Sequence, residues 1–88
     1  MDSEGILGRL RERLSAAQQR NQAAANRFND IIRNLPSGTP ASDGVVRIQD
    51  AARSYRNAMR ELGAAQEQLT EFLLNGAVPE DLDLGPLN

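Results

Sequence analysis

NLPSGTPASDGVV, residues 34–46, interrupts a chain that otherwise has the composition of long helix. Pro36 and Pro40 remove backbone donors and fix φ, while Gly38 and Gly44 permit a reversal. A break of this length between two long helices favours antiparallel neighbours over one continuous rod. The residues on either side support that reading. Before the break, Leu7, Leu10, Leu14, Ala17, Asn21, Ala24, Phe28, Ile31 and Leu35 are spaced alternately three and four apart. After it, Val45, Ile48, Ala52, Tyr55, Met59, Leu62, Gln66, Leu69 and Leu73 repeat the same alternation. Eight of the nine positions in each run are apolar or aromatic, the signature of a coiled-coil seam. No period-two alternation of the kind a strand requires is visible.

The expected fold is therefore all-α: an antiparallel two-helix coiled-coil hairpin that dimerises into a four-helix bundle. It forms one domain, 1–88, with helix 1 at about 3–35, a loop at about 36–42, helix 2 at about 43–75 and a C-terminal tail at 76–88. Asp2 or Ser3 can cap the first helix, and Leu35-Pro36 ends it, because a residue before proline avoids helical angles. The second starts either at Thr39-Pro40 or, preferably, at Ser42 or Asp43. Gly76 and Pro79 stop it. The register that sets small against large residues pairs Leu10 with Leu73, Leu14 with Leu69, Ala24 with Met59, Phe28 with Tyr55, Ile31 with Ala52 and Leu35 with Ile48. Asn21 and Gln66 are polar seam positions, read as specifiers of register or oligomer state or as hydrated positions.

Two half-wet helices bury too little to offset the entropy of ordering them. The sequence offers further small and apolar positions beside the seams. Ala51, Ala58, Ala65 and Phe72 recur every seven residues, Ala25 and Ile32 widen the first seam, and Gly63 allows a close approach. These seven residues form the expected self-association face, and the expected partner is a second copy of the chain.

Composition narrows the chemistry. The 88 residues contain no cysteine and no histidine, and all ten basic residues are arginine, against twelve acidic ones. Disulfides, thiolate chemistry and the usual zinc sites are thereby disfavoured. Without His, Cys or Lys, the acid–base and nucleophile options shrink to carboxylates, hydroxyls and one tyrosine. Phosphate loops and dinucleotide glycine patterns are missing, and Glu67 and Glu71, one turn apart, read as a solvated face. The expectation is a non-enzymatic protein, with no catalytic residues, no cofactor and no metal. The acidic start, MDSEGILGRL, does not read as a secretory signal, and no apolar run approaches membrane-spanning length, so a cytoplasmic location and no membrane partner are expected.

Two surfaces remain as candidates for partner binding. Arg13, Arg20 and Arg27 repeat every seven residues beside the first seam. They read either as flank charges that pair with nearby acids or as a phosphate-contacting stripe. Arg27–Asp30, Asp30–Arg33, Arg47–Asp50 and Asp50–Arg53 are available as i, i+3 pairs. The tail, GAVPEDLDLGPLN, interleaves Leu82, Leu84 and Leu87 with acids. It can fold back over the open end near Leu7, Phe72 and Leu74, or dock on a protein partner. Pro79 with Glu80 and Asp81 is suited to open one short turn.

The functional expectation is an interaction or scaffold module built on a self-associating hairpin. The alternative is a small RNA-binding hairpin dimer using its arginine-lined helix. In shape alone the hairpin is similar to the plasmid repressor-of-primer type, which dimerises and holds RNA loops; no residue motif transfers. Near-zero net charge and few aromatics count against strong nucleic-acid binding. In length and layout the chain also resembles the small secreted WXG family of helical hairpins. That family's Trp-x-Gly turn is replaced here by PSGTPASDG, and its tyrosine-based tail signal is missing.

Overall fold

The computed structural model describes residues 3–35 and 42–82. Two helices occupy almost all of them: α1, Ser3–Arg33, and α2, Ser42–Asn75. Among the described residues there is no strand. Pro36, Gly38, Thr39 and Pro40 lie outside the described residues, as do Asp2, Leu84 and Leu87.

The two helices run antiparallel. Contacts across the hairpin fall along α1 as they climb α2: Arg27 with Asp50, Phe28 with Tyr55, Arg20 with Glu61, and Arg13 with Gln68. The rings of Phe28 and Tyr55 sit 6.1 Å apart and are tilted by 36°. That contact matches the size-matched register. Helices of 31 and 34 residues give a slab with extents of 60 × 23 × 16 Å.

Local chemistry explains the ends. Glu4 lies in the first turn of α1 and Arg33 in its last, each complementing the helix dipole. α1 closes with Asn34 N–H donating to the Asp30 carbonyl at 3.0 Å. α2 closes at Gly76, whose φ of +70° is left-handed. Its N–H donates to the Phe72 carbonyl at 2.9 Å, and the Ala77 N–H to the Glu71 carbonyl at 3.4 Å, closing the helix around a left-handed glycine. The chain then turns back. Leu82 N–H donates to the Pro79 carbonyl at 2.9 Å, closing one turn over residues 80–82.

Packing departs from the expected seam on α2. Among the described residues the buried apolar side chains are Ile6, Leu10, Ala17, Ala51, Ala58, Ala65 and Leu82. Ala51, Ala58 and Ala65, expected on the self-association face, are therefore used inside the hairpin. The row Val45, Met59 and Leu73, expected in the seam, is 39%, 45% and 62% exposed. α2 is thus rolled by roughly 50°, half the step between successive residues. The physical reason is size: a row of alanines lets the backbones approach, and larger side chains are turned to the flank. With this roll, Ala24 and Ala58 line one shallow groove.

Gly63 is exposed, and a Cβ there would meet nothing within 4 Å, so within one hairpin nothing uses the space it leaves. Gly63→Ala is expected to raise stability by about 1 kcal/mol, through helix propensity alone, in a chemical melt. A loss of stability would show that the glycine is required by a contact. No helix among the described residues is long and apolar enough to cross a membrane.

Candidate interaction surfaces

The slab has two broad faces of opposite character. Its seam row on α1, Leu10–Ala17–Ala24–Ile31, is flanked on one side by Arg13, Arg20 and Arg27 and on the other by Leu7, Leu14, Asn21, Phe28 and Leu35. Both flanks follow from the seven-residue repeat.

On the first face, each of the three arginines reaches across to α2 or beyond. Arg20 Nε donates to Glu61 Oε2 at 2.7 Å, and Arg27 Nη2 to Asp50 Oδ2 at 3.1 Å. Arg13 Nη1 donates to Gln68 Oε1 at 2.9 Å, and its guanidinium engages both carboxylate oxygens of Asp81 in the tail. Of the expected i, i+3 pairs, Arg33–Asp30 forms at 3.6 Å, while Asp50 serves Arg27 across the hairpin. All these pairs are solvent-exposed or half-exposed, so each contributes little to stability. Those of Arg20 and Arg27 bridge α1 and α2 along one edge of the hairpin, as the rolled position of α2 allows.

The tail returns over the open end of the hairpin. Leu82 is buried with Ile6 and Leu10, and Leu69, Phe72 and Val78 pack around them. The fold-back expected of the tail is therefore present as far as Leu82. It covers Ile6 and Leu10, whereas Leu74 stays 74% exposed. Asp81 fastens the turn. Its hydrogen bond to Arg13, with the Arg13 charge behind it, holds the carboxyl below its ordinary value of 3.8. A depressed carboxyl contributes stability above the unfolded-state value and loses it as pH falls through the folded value. The tail clamp is thus intact at neutral pH and weakens below about pH 4. Tail amide protection factors, each rate taken against the unstructured-chain rate at the same pH, are expected to be lower at pH 3 than at pH 7, and Asp81→Asn is expected to remove that difference.

Between α2 and the returning tail runs a groove with Glu67, Glu71, Glu80 and Asp81 on its walls. It holds carboxylates and no other group suited to nucleophilic or acid–base work, Asp81 being occupied by Arg13.

The second face carries the uncovered apolar surface. Phe28, Tyr55, Leu14, Leu62 and Leu69 are half-buried there, and beside them Ile32, Val45, Met59 and Leu73 are 39–62% exposed. Of the expected self-association residues, Ala25 and Ile32 lie on this face, Phe72 is half-buried in the end cluster, and Gly63 faces solvent. The expected partner-binding residues Arg13, Arg20 and Arg27 lie together on the opposite face, and Leu82 is in the core. Two features of the surfaces were not anticipated from sequence. One is the exposure of Met59 and Leu73, because the rows on either side of Ile48, Tyr55, Leu62 and Leu69 are both apolar. The other is the state of Asn21, itself a seam position legible in the sequence: its Oδ1 is shut off from solvent and has no hydrogen-bond partner in the hairpin.

Comparison of the chain with protein-family models, with curated proteins and with solved structures gives no match.

Proposed function

We propose that this chain is a non-enzymatic protein–protein interaction module, a cytoplasmic scaffold hairpin that self-associates into a four-helix bundle. The observation that carries the proposal is the uncovered apolar face, on which Ile32, Val45, Met59 and Leu73 stand exposed beside half-buried Phe28 and Leu14. Contiguous exposed apolar surface of this kind marks an interaction site. The interior of one hairpin points the same way. Among the described residues Leu10 alone is a large side chain with no exposed surface, and four of the seven buried residues are alanines. A core this slight leaves a short domain dependent on association.

Self-association leaves the arginine face and the tail end outward for further protein partners. Against the RNA-binding alternative stand the ion pairs of Arg13, Arg20 and Arg27, which already occupy the guanidinium groups a phosphate would need. Sedimentation equilibrium at micromolar concentration is expected to give twice the 9.6 kDa chain mass. A mass of one chain would overturn the proposal. Met59→Glu is expected to shift the equilibrium toward one chain, and Ala64→Glu, on the opposite face, to leave it unchanged.

A further inference from the structure

We infer that the second copy lays its α2 antiparallel on this α2, so that the basic half of one outer edge meets the acidic half of the other. The inference rests on the self-association reading above and adds to it the helix in contact and its direction.

The first support is the order of charges along that edge. Three or four apart on the side of α2 turned away from α1 stand Arg53, Arg56, Arg60, Gly63, Glu67 and Glu71, all exposed. The sign changes once, at Gly63, which has no side chain to hold a neighbour off. A small residue suffices there.

The second is that one hairpin leaves these charges unanswered. Among the described residues none of the five charged side chains forms an ion pair. Asp50, one turn before Arg53, is engaged by Arg27 across the hairpin. Arg60 donates to Asn57 Oδ1 at 3.1 Å and Asn75 donates to Glu71 Oε2 at 2.8 Å, both neutral partners. Neighbours along the edge are alike in sign, Arg53–Arg56–Arg60 and Glu67–Glu71, which disfavours an isolated helix.

The third is self-complementarity. The pair 60 and 67 and the pair 56 and 71 share one midpoint, between residues 63 and 64. A two-fold axis there sets Arg60 beside the partner's Glu67 and Arg56 beside the partner's Glu71, and symmetry repeats both contacts. Copies in the same direction bring arginine to arginine and glutamate to glutamate. A polyanion or a uniformly acidic protein answers only the basic half of the edge and is repelled by the other. The matching edge of α1, Ser15, Gln19, Gln22, Asn26 and Asn29, is uncharged and sets no direction. Exposed ion pairs orient more than they bind. The affinity comes from Val45, Met59 and Leu73 in the adjoining row.

Sedimentation equilibrium of the full chain reads the dissociation constant. Arg60→Glu and Glu67→Arg each turn a repeated attraction into a repeated repulsion and are expected to raise it about tenfold. The two changes together restore the contacts with signs exchanged and are expected to return it to within about twofold of the parent. Arg60→Glu with Glu12→Arg, exposed on α1, has the same net charge as that swap and is expected to stay as weak as Arg60→Glu alone. Single variants at the parent value, a swap no tighter than they are, or a Glu12 control that recovers as fully as the swap overturns the inference and leaves self-association standing. A parent that stays at one chain overturns both.

Direction is read separately. The chain has no cysteine, so Gln49→Cys, exposed on the same edge, accepts a single nitroxide label. Gln49 lies fourteen residues before Gly63, so labels in antiparallel copies stand about 40 Å apart. Copies in the same direction place them within about 25 Å. A dipolar distance near the longer value supports the inference, and a short one overturns it.

Discussion

Replacing Leu10 by alanine is expected to cost about 2–5 kcal/mol of stability and to lower the melting temperature by roughly 10 °C or more. Leu10 has no exposed surface, and it joins Ile6, Leu82, Leu69, Phe72 and Val78 in the cluster that closes the open end. Truncation removes its transfer free energy and leaves a space that two helices and a tail turn cannot wholly refill. In a domain whose other buried positions are mostly alanine, few contacts remain to share the loss. Thermal melts followed by helical circular dichroism measure the effect. Leu74→Ala, at a site 74% exposed, serves as the control and is expected to stay within about 0.5 kcal/mol. A Leu10→Ala melt that overlays this control would mean that the end cluster is not what holds the helices together.

Leu82→Ala is expected to be the second most damaging change, at about 1.5–3 kcal/mol, and to act locally first. The tail turn is held by the Leu82 side chain, by the Leu82 N–H bond to the Pro79 carbonyl and by Asp81 on Arg13. Without the leucine, the polar contacts alone must hold the turn, and they are exposed. Limited proteolysis is expected to cut residues 76–82 faster in the variant than in the parent chain. Leu10 and Leu82 touch the same cluster, so their effects are expected not to add. The double variant should cost less than the two single losses combined, by about 0.5–3 kcal/mol. Strict additivity would place the two leucines in separate environments.

The hairpin itself was legible from the 3–4 spacing on both sides of residues 34–46, and Phe28 beside Tyr55 was legible from size matching. The roll of α2 was not. Ile48, Tyr55, Leu62 and Leu69 are flanked by Ala51, Ala58 and Ala65 on one side and by Val45, Met59 and Leu73 on the other. Counting apolar residues favours the larger set, whereas close approach of two backbones favours the smaller. The choice also depends on whether Glu61 and Asp50 come within reach of Arg20 and Arg27, which only the folded pair reveals. The tail divides in the same way. Its leucines announced a fold-back, but Asp81 and Arg13 are 68 residues apart, and no local pattern links them. Gly63, read as permitting a close approach by a second copy, is open within the single hairpin, and a helical glycine looks the same in sequence whichever way it faces.

Charge and grease are sorted to opposite sides of this slab, so dissolved salt acts on the two sides unequally. The guanidinium–carboxylate ladder is exposed, and at 1 M ionic strength the screening distance shrinks to about 3 Å, close to the 2.7–3.1 Å length of the Arg20 and Arg27 pairs themselves. Sulfate, excluded from protein surface, pushes the bare side toward burial under the same conditions. One reagent therefore slackens the rungs within each molecule while driving molecules together.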